Sequence, residues 1–136
     1  EQASDFADTA LVCAGIYVSD EDRYAMQLLS EILGYAMEHR VIGKDDLYST
    51  EPEVIGKLLS DERTASLWNG FCACRRTTSA PQPGATGCWR RVVAKKRSID
   101  PMVQGEGRVS ALSPSFADSL SAFLNSSQDY WVCGHR

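Results

Sequence analysis

The residues best equipped for chemistry are positively charged and close together. From Arg75 to Arg97 there are seven bases and no acid, half of all the lysine and arginine in the chain. Arg90, Arg91, Lys95, Lys96 and Arg97 fall within eight residues of one another. On an extended chain successive side chains alternate faces, so Arg91, Lys95 and Arg97 share one side and Arg90 and Lys96 the other. Such a cluster suits phosphate oxygens, which arginine binds through two parallel N–H bonds. It is either an anion site or a strand docked against acidic helices. The acids for docking are at hand: Glu1 to Cys74 carries fourteen acids and five bases, a net of −9. Nucleic acid is disfavoured as a partner, because the whole chain has net charge −4 and Trp89 is the only aromatic near the cluster.

The other reactive side chains form weaker patterns. Cys72, Cys74, Cys88, Cys133 and His135 are of the types that bind zinc, but Cys72 and Cys74 stand two apart on an expected helix and point to different sides. No metal site is assigned. Five cysteines, an odd number in no secreted spacing, suggest free and mostly buried thiols in a reducing cytoplasm. His39 and His135 belong to no ligand cluster, and His135, next to the last residue, is expected to fray. Asp45 and Asp46 read as a turn between helices. The chain has no G-x-S-x-G elbow and no Walker or dinucleotide glycine motif. No catalytic residue is assigned.

These residues need elements to position them. Phe6, Ala10, Cys13, Ala14 and Tyr17 recur at helical spacing and predict a helix over 6–18. Ser19 followed by Asp20, Glu21 and Asp22 predicts the start of a second helix, over 20–42, with Gly43 as its stop. Thr50 and Glu53 form a capping box for a third helix ending near Ser60. A fourth carries Leu67, Trp68 and Phe71, both aromatics expected in the core, and fades around Arg75 and Arg76. Residues 77–88 hold the prolines and glycines of a loop. Trp89 to Ser98 alternates as a strand. Gly105 and Gly107 mark a turn. Ser113 and Pro114 open a last helix with Phe116, Leu120, Phe123 and Leu124 on one face. Asp129 to Cys133 reads as a strand paired with the Trp89 strand.

The fold class expected is mainly α with a small β element: a bundle of about four helices over 1–76, a loop over 77–88, and a strand–helix–strand part over 89–136 packed on it as one domain. A length of 136 residues allows one modest core. The apolar runs are too short to cross a bilayer, so no membrane partner is expected. Because it opens on Glu1, the chain is expected to extend further N-terminally.

Two stretches carry a resemblance. Asp45-Asp46-Leu47-Tyr48-Ser49-Thr50-Glu51-Pro52-Glu53-Val54-Ile55, followed by Leu58-Leu59 and Leu67-Trp68, resembles the helical part after the catalytic core of bacterial HD-superfamily phosphohydrolases. Val93-Ala94-Lys95-Lys96-Arg97-Ser98-Ile99-Asp100-Pro101-Met102-Val103 is similar to the basic segment near the end of such chains, with Tyr130-Trp131-Val132 as the final strand. HD enzymes take their name from a His-Asp doublet that helps bind divalent metal. Here His39 is followed by Arg40 and His135 by Arg136. The resemblance implies a non-catalytic C-terminal accessory domain, with Asp5 or Asp8 at the place of the last metal-binding aspartate. Its divalent metal would sit in an upstream catalytic domain of the same protein, and its basic strand would contact phosphate or a nucleotide. The alternative is a stand-alone helical module for protein–protein interaction. A homodimer through an uncovered apolar face, and a phosphorylated small molecule, are the remaining expected partners.

Overall fold

Local capping signals set most of the helix ends. The computed structural model describes residues 2–85 and 87–136. The first helix, α1, spans Gln2–Ile16. Ser19 Oγ accepts the Asp22 N–H at 3.2 Å and begins α2, Asp20–Glu38, whose first turn carries three acids where the helix dipole favours negative charge. Arg40 takes the left-handed conformation, φ 59°, so α2 ends before the Gly43 that was expected to stop it. Lys44–Tyr48 forms a 3₁₀ turn. Glu53 reaches back to accept the Thr50 N–H at 3.1 Å and opens α3, Glu51–Ser60. Asp61 accepts the Thr64 N–H at 2.9 Å and opens α4, Glu62–Cys72.

The second half is mixed. Strand β1 is Arg76–Ala80, β2 Arg90–Arg91, β3 Met102–Val103 and β4 Gly107–Arg108. Helix α5 is Val109–Leu112, α6 is Pro114–Asn125, and β5 is Trp131–His135. The order β1-β5-β2 makes one antiparallel sheet, and β3 and β4 form a hairpin. Gly105 and Gly107 turn that hairpin at φ 80° and 108°, values that glycine adopts without strain. The fold is mainly α with a small β element, and β2 pairs with β5 in the register Arg90↔Val132 and Arg91↔Trp131.

Several expectations give way. The start of the 77–88 loop is β1, because β5 offers a full ladder of partners from Arg76↔His135 to Ala80↔Trp131. The Trp89–Ser98 strand shrinks to Arg90–Arg91, since β5 supplies no partner beyond Trp131. His135 is not frayed: it lies in β5, and its Nε2 is 2.8 Å from Thr78 Oγ1. Cys88 and Cys133 are not free thiols but a disulfide, with Cα atoms 5.1 Å apart across the β2–β5 pairing. Cys13 and Cys72 are free but exposed.

The packing divides in two. Ile32, Ala36, Ile42 and Leu58 form a core between α2, α3 and the turn after α2, with Leu67, Trp68 and Phe71 of α4 packed half-buried on its edge. Trp68 and Phe71 are therefore not fully in the core. Ala7, Val109 and Phe116 form the second cluster, where α1 packs on α5 and α6. The first helix thus joins the last two.

Candidate functional site

The five basic residues of the 90–97 segment have different surroundings. Arg90, held on β2, reaches Glu31 of α2 at 2.8 Å and also donates to Gly87 O. Burial works against the charge of Glu31, but the hydrogen bonds from Arg90 and Gln27 and the Arg90 charge together outweigh it and hold the carboxyl below its ordinary value. Arg91 meets Asp129 through two N–H bonds, 2.7 and 2.8 Å. Lys96 donates to Leu124 O at 2.9 Å and to Ser126 O, at the C-terminal end of α6, where carbonyls lack partners and the dipole favours a cation. Lys95 and Arg97 are exposed and make no ion pair or hydrogen bond among the described residues.

The separation follows from the backbone. Exposure alternates without a break from Arg91 to Arg97, although the ladder ends at Arg91. The odd-numbered side chains face outward, while Val92, Ala94 and Lys96 face the protein. What keeps the segment extended is a residue the sequence offers no signal for. Arg23 is only 2% exposed and donates to Val92 O and, at 2.8 Å, to Gln128 O. It also pairs with Asp20 at 2.9 Å and lies 4.4 Å over the ring of Tyr130. Further along, Asp100 accepts the N–H and hydroxyl of Ser110, at 3.0 and 2.6 Å, pinning the segment to α5. The hydroxyl bond holds its carboxyl below the ordinary range.

Between these pins Lys95 and Arg97 border a groove of about 480 Å³, together with Ser98 and Ile99. Its other wall is α1, with Ala10, Cys13, Ala14, Tyr17 and Val18. No acid lines it. These are largely the residues whose helical spacing the sequence shows. That stripe faces outward at Phe6, Cys13 and Tyr17, while Ala3, Ala7 and Leu11 make the contact with α5 and α6. Beyond the groove α1 also exposes large apolar side chains: Phe6 is 56% exposed, Val12 67% and Ile16 59%.

The remaining candidates are dispersed. Asp5 and Asp8 are both exposed on α1. Asp46 pairs with Lys57 at 2.5 Å and accepts the Gly43 N–H at 2.8 Å, a structural role within the 3₁₀ turn. Among the described residues no three His, Cys, Asp or Glu side chains converge as a metal site would require. No helix among the described residues is long and apolar enough to cross a membrane.

Comparison with protein families, curated proteins and solved structures finds no match.

Proposed function

We propose that this chain is the non-catalytic accessory part of an HD-type phosphohydrolase and packs on an upstream catalytic domain through α1. One observation carries the proposal: α1 has large apolar side chains on its outward side, beside Asp5 and Asp8, as well as on its packed side. Its inner side is buried against Val109 and Phe116, and its outer side presents Phe6, Val12 and Ile16. Large apolar side chains clustered on an exposed surface mark a place where another protein surface packs. A large side chain contributes about 1.5–3 kcal/mol when fully buried, so covering the exposed parts of these three favours docking. The Asp45–Ile55 and Val93–Val103 strings supply the family resemblance.

The test is hydrogen exchange on α1, in this chain alone and in the longer polypeptide of its gene. The α1 amides are expected to exchange at least tenfold more slowly in the longer protein. Val12→Asp with Ile16→Asp should cancel that protection and leave the Tm of the 136-residue chain unchanged. Equal exchange in both contexts, or a gene with no His-Asp doublet upstream, overturns the proposal.

A stand-alone interaction module draws on a different surface, the apolar cleft between α2 and α3 lined by Leu29, Leu33, Val54 and Trp68. Compartment separates the two. The phosphohydrolase proposal goes with the cytoplasm, where thiols are kept reduced, and the Cys88–Cys133 bond stands against it. Alkylation under denaturing conditions at the moment of lysis decides: labelling of both cysteines fits the cytoplasm, and protection of both fits an oxidising compartment.

A further inference from the structure

Within the 90–97 segment, Lys95 and Arg97 alone combine exposure with the absence of a partner among the described residues. They stand two residues apart on one face of an extended segment, so their Cα atoms are separated by roughly 7 Å. An ammonium and a guanidinium at that spacing can close on one small anion from two sides, the guanidinium with its paired N–H donors. Arg90, Arg91 and Lys96 show the alternative, each bound to a carboxylate or to backbone carbonyls of this same chain.

The groove below the two cations is not polar. Ala10, Ala14, Val18 and Ile99 give it small apolar walls, and Tyr17, 70% exposed, sets an aromatic ring at its edge. An inorganic ion would leave these walls wet. A ligand with a flat apolar body and an anionic end would cover the walls, stack on Tyr17 and neutralise both cations. The volume of about 480 Å³ lies in the range of small-molecule sites, roughly 300–1,000 Å³. Among the described residues no carboxylate lines the groove to repel the anion.

We infer that the groove between α1 and Lys95–Ile99 binds a phosphate monoester carried on a planar ring, with Lys95 and Arg97 on the phosphate and Tyr17 against the ring. Val12 and Ile16 lie on another flank of α1, and every residue named for the site belongs to this chain, so it can be tested without a second domain.

The experiment is an NMR titration of the 136-residue chain with adenosine 5′-monophosphate, adenosine, inorganic phosphate and benzoate. Saturable shifts are expected with the monophosphate at Ala10, Tyr17, Lys95, Arg97 and Ile99. Adenosine and inorganic phosphate should each bind at least tenfold more weakly. Lys95→Ala with Arg97→Ala should weaken the monophosphate at least tenfold, whereas Arg91→Ala, which removes a partner of Asp129, should not. Tyr17→Ala should weaken the monophosphate and leave inorganic phosphate unchanged. Shifts that map instead to Arg75, Arg76 and Arg136, or a double variant that binds like the parent, overturn the assignment. Equal binding of benzoate overturns the choice of phosphate. The parent's shift map decides by itself if a variant does not fold. Because this chain is used alone, failure here leaves the α1 docking proposal standing.

Discussion

The guanidinium of Arg23 donates to carbonyls 69 and 105 residues away in sequence. Its charge is matched by Asp20 and by the face of Tyr130, but Arg23 Nε and Gln128 Oε1 are buried without hydrogen-bond partners. Removing the side chain would strand two backbone acceptors and a carboxylate. Breaking a buried charge pair costs on the order of 3–5 kcal/mol, a large share of the roughly 5–15 kcal/mol that holds a domain folded. Arg23→Met is therefore expected to lower the urea midpoint sharply, and Arg23→Lys to recover only part, since an ammonium lacks the planar fork. Asp20 adds a pH dependence. Burial pushes its carboxyl up, but hydrogen bonds with Arg23, Ser79 and Tyr130 outweigh this and hold it below the ordinary 3.8. A depressed folded pKa means that its stabilisation is complete above the unfolded value and is lost as pH falls through the folded one. In thermal melts below about pH 4, Asp20→Asn should flatten the acid limb of the stability curve.

At the scale of elements, the helices of the first half rest on caps and the strands of the second on neighbours. Asp61 closes the turn between α3 and α4, accepting the Thr64 N–H, while the Thr64 hydroxyl donates to Leu58 O. The N–H bond holds the Asp61 carboxyl below its ordinary value. Asp61→Ala is expected to cost about 1 kcal/mol, as loss of an N-cap typically does, read as a lower Tm with an unchanged helical circular dichroism signal at low temperature. Strand β2 has no comparable local support. Two residues of ladder hold it, aided by the Arg90–Glu31 pair and the disulfide next to it.

Across the whole molecule the Cys88–Cys133 bond closes a sequence separation of 45 residues. That loop contains β2, the basic segment, the β3–β4 hairpin, α5 and α6. Confining a loop of this length in the unfolded chain stabilises the folded one by about 4 kcal/mol in the chain-entropy model. Cys88→Ser, or a reducing agent on the parent, should lower the unfolding free energy by an amount of that order, measured by chemical denaturation. Equal stability of the oxidised and reduced chains would mean that packing alone holds β2 on β5.

What the residues determine by themselves is local. Ser19, the Thr50–Glu53 box and Ser113 each begin a helix where the spacing indicates, because a cap acts on N–H groups within three residues of itself. The alternation from Arg91 to Arg97 likewise survives as alternating exposure, since an extended backbone dictates it without a partner strand. The rest belonged to tertiary structure. Nothing local tells Cys88 from Cys72, marks Arg23 among three acids as buried, or turns α1 toward α5 and α6. Which cations stay unpaired was undecidable for the same reason: Glu31 and Asp129 lie 59 and 38 residues from Arg90 and Arg91, and only the folded chain brings them within reach.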